Sequence, residues 1–102
     1  LPEAISAQPN GVVLVWSCYS SGTVQDWGWT TTFIPKIFIV NKPGAGIDIP
    51  LMRQSVSVIG CKYIYVNDTT IKGHANNSLT GSATTGPSYN NGYWVLRYVI
   101  GI

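Results

Sequence analysis

Apolar residues in this chain come in short dense runs, with no helical arcs between them. Gly11 to Tyr19 is continuously apolar and rich in β-branched residues, the pattern of a strand covered on both faces. Phe33 to Val40 reads as the next strand, with Pro35 marking an edge or a bulge because proline brings no backbone donor. Ile47 to Gln54 is ambiguous, since Pro50 argues against regular structure there. Ser55–Ile59 and Lys62–Val66 each alternate apolar and polar, as half-buried strands do, and Gly60 between them permits a bulge. Val66 then leads through Asn67-Asp68-Thr69 into Thr70-Ile71-Lys72, a hairpin whose turn residues tolerate positive φ. The run Tyr93 to Gly101 reaches almost to the final residue, Ile102. Chain ends fray unless something ties them down, and an exposed apolar strand templates aggregation. This strand is therefore expected inside a sheet or against another subunit.

Turn chemistry separates these runs. Residues 1–10 read as an extended arm ending in Pro9-Asn10-Gly11, Ser20-Ser21-Gly22 as a turn, Asn41 to Gly46 as a loop, and residues 73–92 as a long surface loop. No window shows a 3.6-residue period or a cluster of strong helix formers. The pattern predicts a single all-β domain over residues 1–102, an antiparallel β-sandwich or a jelly-roll-like relative of about six or seven strands.

Composition changes this picture in one respect. The chain is 45% apolar but only 10% charged, against roughly 25% charged in an ordinary domain. Such a surface is polar but uncharged, which suits contact with neutral sugars or with other copies of the chain, and homo-oligomers are expected. The six basic residues are scattered and the net charge is +2, so there is no cluster of the kind nucleic acid requires. No apolar stretch approaches the roughly 18 residues of a membrane span, so no membrane insertion is expected. The chain begins with Leu1 and reads as the C-terminal tip of a longer protein. Cys18 and Cys61 fit no metal spacing. Two buried free thiols are the simpler reading, and a disulfide is the alternative.

Candidate chemistry is sparse. The acids are Glu3, Asp26, Asp48 and Asp68. Paired-carboxylate catalysis would need Asp26 and Asp48 to fold within roughly 10 Å of each other. His74 lacks a nucleophile-elbow partner and reads as a hairpin cap. No catalytic residue, metal site or cofactor is expected. The aromatics are more informative. Sugars are held by a flat ring against the apolar face of a pyranose, with amides and carboxylates bonding the hydroxyls. Asp26-Trp27-Gly28-Trp29 supplies an acid and two indoles, and Tyr89-Asn90-Asn91-Gly92-Tyr93 supplies two phenols and two amides. Asp26, Trp27, Trp29, Tyr89, Asn90, Asn91 and Tyr93 are thus the candidate saccharide ligands, provided both segments meet at one end of the sandwich. Packing of Trp27 and Trp29 into the core is the competing reading. Trp16 and Trp94 lie in strands and are expected in the core, while Tyr63 and Tyr65 share a strand face that could line a subunit interface.

The order of segments carries a resemblance. Pro9 to Ser17 leads into Tyr19-Ser20-Ser21-Gly22, then Gln25-Asp26-Trp27-Gly28-Trp29 and Phe33-Ile34-Pro35-Lys36. Lys62 to Val66 leads through Ile71-Lys72-Gly73-His74 to Val95-Leu96-Arg97-Tyr98-Val99-Ile100-Gly101. Over nearly its whole length the chain resembles C-terminal domains of tail and baseplate proteins from siphophages and prophages of Gram-positive bacteria. The resemblance implies a virion structural domain, homotrimeric, assembled in the bacterial cytoplasm. Its implied partners are host cell-wall polysaccharide or another surface glycan, and other tail proteins bound through the part preceding Leu1. It assigns no binding residues. A tip domain without a ligand, a secreted lectin and a wall-polysaccharide depolymerase remain as alternatives.

Overall fold

A computed structural model of the chain describes residues 3–52, 59–74, 77 and 91–102. Seven strands among these residues form two antiparallel sheets, an all-β sandwich as the alternation predicts. The first sheet centres on β1 (Gly11–Ser20), which pairs along one side with β2 (Thr23–Val24) and β3 (Thr30–Pro35) and along the other with β7 (Trp94–Gly101). The second sheet runs β4 (Ala45–Met52), β5 (Ile59–Val66), β6 (Ile71–Gly73). Its β5–β6 hairpin pairs Val66 with Ile71 and Ile64 with Gly73, turning where the sequence places Asn67 and Asp68.

The core lies between the sheets. Val12, Leu14, Trp16, Ile34 and Trp94 from the first sheet meet Ile49, Leu51, Ile64 and Val66 from the second, joined by Ile5 and Ile39. Trp16 and Trp94 are core tryptophans, as expected. The terminal strand is tied to its last residue: Ile102 donates to the Gly11 carbonyl at 3.0 Å and accepts from Asn10 and Gly11 at 2.7 and 3.1 Å. Its outward side chains are a different matter, since Tyr98 and Ile100 remain about half exposed.

Four local readings are corrected. The run Phe33 to Val40 is not one strand: β3 stops at Pro35 and Lys36–Asn41 form a short helix, α1. Proline ends the strand and starts the helix, because its fixed φ suits a helix N-terminus and it has no ladder donor to lose. The Lys36 N–H is captured by the Asn10 carbonyl at 2.8 Å, and Ile39 is buried, so tertiary contacts override the β propensity of the run. Second, Ile47 to Met52 is regular strand in spite of Pro50. Among the described residues β4 is an edge strand, where a missing donor costs no ladder bond, and Pro50 sits opposite Cys61 in continuous register. Third, Gly60 causes no bulge, because it stands opposite Leu51 within the same unbroken ladder. Fourth, Ile5–Ala7 form a 3-10 turn in place of an extended arm. Asp68 holds that turn: its carboxylate accepts from the Ser6 N–H at 2.6 Å and the Ser6 hydroxyl at 2.8 Å, and its carbonyl accepts from the Ile5 N–H at 2.7 Å.

Much of the predicted 73–92 loop, and the predicted strand at 55–58, lie outside the described residues. Within that loop Asn77 is ordered against β5. Its side-chain amide accepts from the Tyr63 N–H at 2.7 Å and donates to the Tyr63 carbonyl at 2.9 Å, imitating one more residue of strand beyond β6. The His74 N–H donates to the same carbonyl at 3.1 Å.

Candidate functional site

The site grows out of a break in strand pairing. β7 pairs Val15 with Tyr98 and then Trp16 with Leu96, so Arg97 is the extra residue of a β-bulge. Regular alternation sends neighbours to opposite faces, and a bulge re-aims the side chain it carries. Arg97 accordingly joins Tyr98 on the outer side of the first sheet. The other half comes from the connection after β2. There Gln25 donates to the Cys18 carbonyl at 2.9 Å, and the Cys18 N–H donates to the Trp27 carbonyl at 3.1 Å. These bonds fold Gln25 to Gly28 back over the end of β1. Gly28 takes φ +69°, and a β-carbon there would collide with the Cys18 sulfur, so the Trp-Gly-Trp spacing is a packing requirement.

Arg97 ties the two halves together. Its Nη1 donates to the Ser17 hydroxyl at 3.0 Å, to the Gln25 carbonyl at 3.1 Å and to the Asp26 carboxylate at 2.9 Å. Its guanidinium carbon lies 5.0 Å from the centre of the Trp29 ring and 5.8 Å from that of Tyr98, within cation–π range of both. The two rings are almost parallel, at 14° with centres 6.2 Å apart. The Trp29 indole N–H donates to the Asp26 carbonyl at 3.2 Å. Trp27 is 49% exposed, Trp29 47% and Tyr98 53%.

Of the residues singled out from sequence, Asp26 and Trp29 come together here, and Trp27 beside them in the chain is likewise on the surface and not in the core. Tyr93 lies in a 3-10 turn at Asn91–Tyr93 and packs against the core next to the buried Trp94. Tyr89 and Asn90 lie outside the described residues, as does the Asn91 side chain. Sequence reasoning missed Arg97 and Tyr98, which looked like ordinary positions of an apolar strand. The one available signal was a charged residue inside that strand.

Two further features concern candidate chemistry. Asp48 lines an open apolar groove of about 290 Å³ between β3 and β4, with Phe33, Pro35, Phe38 and Ile47, whereas Asp26 is bound to Arg97. Cys18 and Cys61 are both free thiols, but only Cys18 is buried and Cys61 is partly exposed; partial burial, with the Asp48 charge adding to it, pushes the Cys61 thiol upward from its ordinary value. Among the described residues no three His, Cys, Asp or Glu side chains gather as a metal cluster, and no helix is long and apolar enough to cross a membrane. Comparison of the chain with family models, with curated proteins and with solved structures gave no match.

Proposed function

We propose that this domain is a non-catalytic structural and host-recognition module of a phage tail fibre or baseplate, and that it binds saccharide on the host surface. The observation that carries the binding part is the pair of half-exposed, nearly parallel rings, Trp29 and Tyr98, fixed by Arg97 with Asp26 beside them. Half-exposed aromatic rings next to an ion-paired carboxylate and guanidinium have the composition of a sugar site. The virion role rests on the resemblance of the segment order. The test is titration of wall polysaccharide fragments, followed by Trp fluorescence. Trp29→Ala is expected to abolish the response while leaving the unfolding midpoint nearly unchanged, since the ring is half exposed. A response that persists in Trp29→Ala sinks this placement of the site.

Homotrimerisation belongs to the same reading. Weak single-site sugar affinity rises by on the order of 10²-fold when copies are linked. A purely structural tip is the second reading, and a specific surface favours it. Helix α1 leaves Ile37 67% and Val40 53% exposed, beside the groove holding Phe33 and Phe38. Apolar surface of that extent suits contact between copies. Light scattering at three times the monomer mass supports the oligomer, and Phe38→Lys is expected to return it to monomer. A monomeric wild-type domain removes the avidity argument.

A further inference from the structure

The Asp26–Arg97 pair carries more than its own attraction. Among the described residues, the three hydrogen bonds of the Arg97 guanidinium leave through Nη1. Among the described residues, its Nη2 and Nε donate to nothing, and the second carboxylate oxygen of Asp26 accepts nothing. The Asp26 side chain is 83% exposed and that of Arg97 21%. An open acceptor and open donors therefore belong to one ion pair, whose guanidinium lies against the Trp29 and Tyr98 rings. The pair is neutral as a unit. An anionic group approaching the guanidinium meets the Asp26 carboxylate as well, so attraction and repulsion oppose each other. Two adjacent hydroxyls meet no such conflict: one donates to the carboxylate, and its neighbour accepts from the guanidinium.

We infer that the site is specific for an uncharged pyranose, held by two vicinal hydroxyls bridging Asp26 Oδ2 and Arg97 Nη2 while its apolar face lies on Trp29. The inference rests on the saccharide reading above and narrows it to a ligand class. Hydrogen bonds to charged partners are stronger and more directional than neutral ones, so the diol sets specificity and the ring supplies contact area. Asp26 is a ligand in this arrangement. Arg97 is both a ligand and the residue that positions Asp26 and the two rings.

The test is NMR of the Trp29 indole N–H, titrated with methyl glucoside, methyl galactoside, methyl mannoside and N-acetylglucosamine, and in parallel with glucuronic acid, N-acetylneuraminic acid and glycerol 3-phosphate. Neutral glycosides are expected to shift the Trp29 signal, and their deoxy analogues lacking one of the paired hydroxyls to bind at least roughly tenfold more weakly. Asp26→Asn keeps the shape but removes the charge, and is expected to weaken the neutral sugars while improving the anionic ones. Arg97→Lys separates positioning from charge: loss of the near-parallel ring geometry shows as a shifted Trp29 signal before any sugar is added. Tighter binding of the acidic probes than of the neutral ones overturns the ligand class but leaves the saccharide reading standing. Absence of any Trp29 response to the whole panel overturns both.

Discussion

Gly28 and Cys18 show how a single position can set the site. The left-handed backbone at Gly28 is costly for any residue with a β-carbon, and that carbon would also meet the Cys18 sulfur. Gly28→Ala is expected to cost about 2 kcal/mol or more in denaturant unfolding, from φ strain and overpacking together. Shrinking the neighbour as well, in Cys18→Ala/Gly28→Ala, should recover the overpacking part and leave the strain. Strictly additive losses in that cycle would mean the two side chains do not share the space. Arg97 makes the opposite case, a surface ion pair whose own energy is small. Exposed pairs contribute about 0–1 kcal/mol, so Arg97→Ala should move stability little beyond its lost bonds to Ser17 and Gln25. Its main effect belongs to ring geometry and binding. Legibility at this scale was uneven. Asp26, Trp27 and Trp29 could be picked out because acid and indoles are adjacent in the chain. Arg97 and Tyr98 could not, because their partners lie about 70 residues away.

At the level of elements, period decided what could be read. β1, the β5–β6 hairpin and β7 follow from alternation and turn chemistry, and each is found where the pattern puts it. The run Phe33 to Val40 misleads because six residues are too short for a helical period to emerge from a β-branched sequence. Pro50 misleads because its meaning depends on whether β4 has one neighbour or two. The turn at Ile5–Ala7 is held by Asp68 from the far hairpin. Asp68→Ala removes two bonds to Ser6 and should destabilise the domain by about 1–2 kcal/mol, with Ser6→Ala giving part of the same loss. If the two substitutions prove additive in thermal unfolding, the bond between the Ser6 hydroxyl and the Asp68 carboxylate contributes nothing.

For the whole molecule, strict alternation of β5 has a consequence for pH. Lys62 falls on the same face as Ile64 and Val66, is 8% exposed, and donates from Nζ to the Asn77 carbonyl at 2.7 Å. Burial lowers its pKa to about 8, with the neighbouring Cys61 opposing the change weakly. The folded state releases this proton near pH 8, whereas the unfolded chain keeps it until about 10.5. Between those values the unfolded chain binds more protons, so stability rises with pH across that window. Below pH 8 the cost of burying the ammonium is fully present. Lys62→Met is expected to raise stability at neutral pH and to remove this part of the slope in unfolding measured from pH 7 to 10. A slope unchanged in Lys62→Met would mean that Lys62 is not its source.

The sequence by itself determined the class of fold, because strand alternation, turn residues and low charge are local properties that need no partner to be expressed. It also determined that Trp16 and Trp94 are core, since both sit within apolar strands. Only the tertiary structure decided which aromatics face solvent, that a bulge turns Arg97 toward Trp29, and that Asp68 reaches back to Ser6. Those outcomes depend on register between distant segments. A shift of one residue reverses every side chain of a strand, and nothing local to Arg97 or Trp29 encodes the register that brings them together.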